Sequence, residues 1–129
     1  MAEGIFKKLI DRKIFVQSAG VFDTLEVDGF SVKVCDEINV KLSTHRVRSL
    51  KEMEKEGGFL GSFDLIIAFT KESLAEAYKY STYSSVVIED WTVNEPIKDE
   101  NDIKQTLCAY RQTRDIIYDK IKDRFRDYI

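Results

Sequence analysis

No stretch of this chain approaches the ~20 consecutive apolar residues needed to cross a bilayer, so neither a membrane-spanning helix nor a membrane partner is expected. The opening residues are charged and amphipathic, which argues against a secretory signal peptide. A basic excess is missing too: 20 Lys and Arg face 23 Asp and Glu, net charge −3, leaving no electrostatic case for a nucleic-acid partner. Cysteine occurs only at Cys35 and Cys108, far apart in a chain that is 33% charged, which suits a reducing compartment better than a disulfide scaffold. Proline occurs once, at Pro96, and there is neither an internal repeat nor a linker-like stretch. What the chain does have is apolar material, 43% of 129 residues with 12% aromatic, enough for one compact domain over residues 1–129 with a real core. The expectation is a cytoplasmic domain.

A further absence lies at the very start. Ile5, Phe6, Leu9 and Ile10 fall at i, i+1, i+4 and i+5, so one helix face is apolar from the fifth residue. No Ser, Thr, Asp or Asn precedes it to cap the unpaired N–H groups of the first turn, and the α-amino group stands where the helix dipole disfavours positive charge.

Helix and strand signals then alternate. Ile14 to Gln17 is a short β-branched and aromatic run stopped by Ser18-Ala19-Gly20. Asp28 is placed to cap a helix carrying Phe30, Val34 and Ile38, and "NVKLSTHRV" reads as a polar connection. Ser49 followed by Glu52 is a capping-box pattern for a short helix that Gly57-Gly58 ends. "FDLIIAF" (63–69) is a continuous apolar run, as in a strand buried on both faces. Thr70 can cap a helix over 71–80, "SVVIE" (85–89) reads as a third strand, and a final helix runs from about Glu100 to Arg126. Such alternation predicts an α/β fold, three layers α/β/α around a short parallel sheet. Three short strands are one too few for this much apolar helix surface.

The segments "MAEGIFKKL", "VQSAGV", "LSTHRVRSL", "FDLIIAFT" and W-x-x-x-E-P occur in the order typical of low-molecular-weight protein tyrosine phosphatases and the related arsenate reductases, and the chain resembles that family over essentially its whole length. The resemblance implies a four-stranded parallel sheet flanked by helices. It implies phosphomonoester hydrolysis through a Cys nucleophile, without metal or cofactor, on a phosphotyrosine protein or small phosphoester. In the family a strand and a C-x5-R-S phosphate loop lead directly into the segment like "MAE"; here Met1 stands at that internal position. Either a start codon upstream was overlooked or the gene has lost its beginning.

The chemistry of that loop has stated physical requirements. Phosphoester attack needs a thiolate of lowered pKa held by a helix N-terminus and a nest of backbone N–H groups. It needs a guanidinium gripping two phosphate oxygens, and an acid to protonate the leaving oxygen. "CAYRQTR", Cys108 to Arg114, satisfies C-x5-R only as a string. It lacks glycine, no Ser or Thr follows Arg114, and it falls within the last predicted helix. Six helical residues turn through about 600°, which leaves thiol and guanidinium about 240° apart. No nucleophile is therefore assigned, and Cys108 reads as a small buried thiol on the core side of the last helix.

The resemblance aligns Glu95-Pro96 with the family's Asp-Pro, making Glu95 the candidate general acid; its extra methylene moves the carboxyl by ~1.5 Å, a shift that can be costly in rate. The bland alternative is an X-Pro turn with a solvated carboxylate. Asp90 is the runner-up. Ser18 aligns with the serine that holds the phosphate loop in shape, or else simply ends a strand. Lys41, His45, Arg46, Arg48 and Lys51 are a phosphate-attracting patch or a solvated connection. Cys35, between Val34 and Ile38, reads as core rather than redox-active. Arg114 shares the apolar stripe of Leu107, Ile117 and Ile121 and reads as the partner of a structural ion pair.

The strand that the resemblance sets between "IFVQS" and "DLIIAF" is not in this sequence, which would leave unpaired strand edges and a partly uncovered face of Ile5, Phe6, Leu9 and Ile10. A homo-oligomer is therefore expected, as is a phosphatase-like domain inactive by itself. An arsenate reductase-like protein and a non-catalytic binding remnant are the alternatives.

Overall fold

The computed structural model describes residues 1–10, 14–21, 28–42, 47–55, 60–80 and 84–129. Its five helices are α1 (Ala2–Ile10), α2 (Gly29–Asp36), α3 (Leu50–Lys55), α4 (Lys71–Tyr80) and α5 (Ile103–Arg124), and its two strands are β1 (Leu65–Ala68) and β2 (Val87–Asp90). They belong to two compact units, one of Met1–Ser18, Glu26–Arg46 and Glu95–Ile129, the other of Ala19–Leu25 and Val47–Asn94.

In the first unit α5 packs against both α1 and α2. Its buried stripe, Leu107, Tyr110, Arg114, Ile117 and Ile121, recurs every three or four residues. Val34 of α2 meets Leu107 and Tyr110, with Met1 and Phe30 packed alongside. On α1, Ile5, Phe6 and Ile10 are buried, and the Phe6 ring meets Phe125 edge to face at 5.0 Å. Of the helix face expected to lie partly uncovered, Ile5, Phe6 and Ile10 are thus covered and Leu9 is only partly so, with α5 and the residues after it supplying the apolar partner. The α-amino group is not left to water either: burial holds it below its ordinary pKa of 8.0, against the charges of Cys35 and Glu3.

Asp28 caps α2 as its sequence position predicts, accepting from Phe30 N at 3.1 Å. The helix stops at Asp36, short of Ile38, and Asn39 turns the chain with φ 62°. The stretch read as a polar connection then buries Val40 and Leu42. Asp102, not Glu100, caps α5, accepting from Gln105 N at 3.0 Å.

The second unit is built on a β–α–β element: β1 and β2 pair in parallel, Leu65 opposite Val87 through Ala68 opposite Asp90, and α4 packs on both. Thr70 caps α4 as expected, its Oγ1 accepting from Ser73 N at 3.0 Å while Ser73 Oγ accepts from Thr70 N at 3.1 Å. Ser49 opens α3 likewise, accepting from Glu52 N at 3.1 Å. The Gly57-Gly58 stop lies outside the described residues.

The parallel α/β class holds, with a correction in strand number. Among the described residues the sheet has two strands, and Ile14 to Gln17 is in neither. A β-branched run becomes a strand only when a neighbour takes its hydrogen bonds, and among the described residues this run has no ladder. Phe15 is 74% exposed, and one parallel bridge, Gly20 with Ser49, follows the run. The apolar run 63–69 also yields a shorter strand than predicted, with Leu65, Ile66 and Ile67 only half-buried.

Candidate functional site

Two groups of polar side chains stand out in the first unit. In one, Ser18 donates its hydroxyl to Glu3 Oε1 at 3.0 Å, and Lys7 reaches Glu3 Oε2 at 3.1 Å. Glu3 is 7% exposed, so its buried carboxylate is satisfied by a cation one helical turn away and by a hydroxyl from the extended chain after α1. Ser18 thus ties that chain back to the first turn of α1, where a helix start favours negative charge. Sequence reasoning singled out Ser18 and missed Glu3; the signal was an acidic residue on the apolar side of α1.

The other group surrounds Tyr110. Its hydroxyl donates to Asp28 Oδ2, while Asp28 Oδ1 holds the cap of α2. Burial, then the hydrogen bond and charge of Asp28, then the charge of Glu95, push Tyr110 up to about 12. Phe30 lies against the Tyr110 ring at 5.3 Å between centroids, and Lys98 Nζ stands 5.4 Å from the centre of the Phe30 ring. Glu95 itself is exposed, on the segment between β2 and α5. The Tyr110–Asp28 hydrogen bond is a pairing that sequence reasoning did not foresee. Tyr110 and Asp28 are 82 positions apart, and only the packing of α2 on α5 joins them.

The remaining candidates have structural surroundings. Asp90 accepts from Thr92 N at 2.9 Å and from the Thr92 hydroxyl, both of which hold its carboxyl below the ordinary 3.8. Lys41 pairs with Asp36, Lys51 is exposed on α3, and His45 and Arg46 lie outside the described residues. Cys35 is fully buried, as read, and burial pushes its thiol above the ordinary 9.0. Arg114 makes the predicted ion pair, to Glu37 at 2.8 Å, and also donates to the Val34 carbonyl at 2.8 Å. Among the described residues no group of three or more His, Cys, Asp or Glu is arranged to hold a metal, and no helix is long and apolar enough to cross a membrane.

Cys108 requires a correction. It is exposed, not buried, because it sits one residue off the Leu107–Tyr110–Arg114 stripe and so points about 100° away from Leu107. Arg114 is buried on that stripe, so thiol and guanidinium do face apart. The C-x5-R string is helical throughout, and its backbone N–H groups serve α5 and cannot ring an anion.

The described elements make a small α/β fold with a parallel strand pair. The family model for low molecular weight phosphotyrosine protein phosphatase matches residues 1–128, and the chain belongs to that family. Among curated proteins, none matches the chain.

Proposed function

We propose that this chain is the scaffold of a low-molecular-weight phosphotyrosine phosphatase, inactive by itself toward phosphomonoesters because none of its 129 residues forms the C-x5-R-S loop. The observation that carries the reading is the state of its one C-x5-R string, with Cys108 in solvent and Arg114 locked in the α2–α5 packing. One domain of the family accounts for both compact units, since the match runs through both. In a chain completed by the loop, Glu95 protonates the leaving oxygen of a phosphotyrosine protein or small phosphoester, and Ser18 supports the loop from the first turn of α1. Without thiolate and guanidinium the acid has no reaction to assist.

The test is hydrolysis of p-nitrophenyl phosphate by the 129-residue protein. A rate at the blank level is the expected result. Turnover that vanishes in Cys108→Ser would overturn the proposal, and a loop-completed chain unaffected by Glu95→Gln would remove Glu95 from it.

Self-association is the second element of the reading. Two observations favour it: three apolar residues of β1 are not fully buried, and Val87 on β2 is 57% exposed.

A further inference from the structure

We propose, resting on the reading that the chain self-associates, that β1 is the seam: its free edge pairs antiparallel with β1 of a second copy about a twofold axis at Ile66. The two copies then share one continuous sheet, β2–β1–β1–β2. In a ladder, alternate residues turn both N–H and C=O toward the neighbouring strand. Val87 N donates to Asp64 O at 3.2 Å and Trp91 N to Ala68 O at 2.8 Å, with Ile66 opposite Ile88 between them. Asp64, Ile66 and Ala68 therefore face β2, and Leu65 and Ile67 turn their backbone groups the other way. Among the described residues nothing pairs with that edge. Both residues are partly accessible, so two N–H and two C=O groups stand ready for another strand.

Two features of the edge select a second copy as its occupant. The first is that its hydrogen bonding is self-complementary. With the axis at Ile66, Leu65 of one copy lies opposite Ile67 of the other and the two exchange both their bonds. The symmetric pair does the same, so all four groups of each edge are satisfied. The second is charge. Leu65–Ala68 carries none, and the side chains that meet on the axis are two isoleucines, an apolar β-branched pair. The other edge of the sheet fails this test. On β2 the outward residues are Ile88 and Asp90, so the equivalent axis falls at Glu89 and sets carboxylate against carboxylate. Val87 is the ladder partner of Leu65, so it flanks the seam on the same face.

Amide hydrogen exchange of the full chain, read by NMR on either side of the dissociation midpoint found by sedimentation, tests this. In the dilute sample Ile66 and Ala68 should be protected and Leu65 and Ile67 open, since only the first two face β2. Concentrating the sample should slow Leu65 and Ile67 at least about tenfold and leave Ile66 and Ala68 nearly unchanged. Ile67→Pro removes one outward N–H and no bond to β2, so it should raise the dissociation midpoint at least about tenfold with far-UV circular dichroism retained. An oligomer in which Leu65 and Ile67 stay open overturns the seam and leaves self-association standing on another surface. Protection of those two amides in the dissociated chain also overturns it, because the chain then covers its own edge. So does an unchanged midpoint in folded Ile67→Pro. A protein that is monomeric at every concentration overturns the seam and the self-association reading together.

Discussion

Arg114 and Glu37 meet at 2.8 Å, the guanidinium buried and the carboxylate a third exposed, and Arg111 reaches the same carboxylate at 2.7 Å. Two arginines one turn apart on α5 thereby clamp the residue that ends α2. The Arg111 hydrogen bond first, then that of Arg114, holds Glu37 at about 2 against an ordinary 4.5. A depressed carboxylate stabilises the fold fully above its unfolded pKa and loses that contribution as pH falls through the folded one. Thermal melts should therefore show a loss between about pH 4.5 and 2 that is missing in Glu37→Gln. At pH 7 that variant should be less stable by about 1–2 kcal/mol, a charged hydrogen bond discounted for its exposure.

Gly4 makes a second prediction. A Cβ there would lie 2.7 Å from Leu42 Cδ2 and 2.8 Å from Val40 Cγ1, both in buried side chains. Alanine is the better helix former by ~1 kcal/mol, so an exposed helix would gain from Gly4→Ala. Here two buried side chains must shift to admit the Cβ, and a net loss of about 1–3 kcal/mol is expected by chemical denaturation. A gain in stability would show that α1 does not sit against Val40 and Leu42.

The two thiols should behave oppositely. Cys108 is exposed and Cys35 fully buried with its pKa raised by that burial. A disulfide reagent should titrate one thiol quickly in the native protein and the second only on unfolding. Cys108→Ser should change stability by less than ~0.5 kcal/mol. Cys35→Ser should cost about 1–3 kcal/mol, because a buried hydroxyl needs a partner that a thiol does not.

Much of this was legible in the sequence for a physical reason: capping is local. Asp28, Ser49 and Thr70 each announce a helix by a side chain reaching two or three residues on, and each bond is present. The buried stripe of α5, Arg114 included, follows from helical spacing alone. What failed needed knowledge of neighbours. Ile14 to Gln17 has strand composition but no ladder among the described residues, and Cys108 missed the stripe by one position. In the candidate site, Glu95 and Ser18 became candidates through resemblance alone. The Tyr110–Asp28 bond forms only where α2 packs on α5, which no local pattern encodes, whereas Glu3 pairs with Lys7 one turn along its own helix.

Self-association is the remaining prediction, and it follows from how little sheet the described residues form. A two-stranded sheet is marginal without further strands or a covering layer. Here α4 packs on both strands, yet Leu65, Ile66 and Ile67 are not fully buried and Val87 is 57% exposed. Exposed apolar strands recruit other chains, and natural sheets guard them with charge, lysine above all. Sedimentation at micromolar concentration should therefore show a dimer or larger species, melting no higher than the ~45–65 °C usual for mesophilic domains. Val87→Lys places a charge on the exposed strand at a position that is more than half solvent-exposed, so it should weaken association and leave far-UV circular dichroism unchanged. A monomer with a sharp transition above ~65 °C would mean that the two strands and their helices already complete a core. An oligomer indifferent to Val87→Lys would move the contact away from β2.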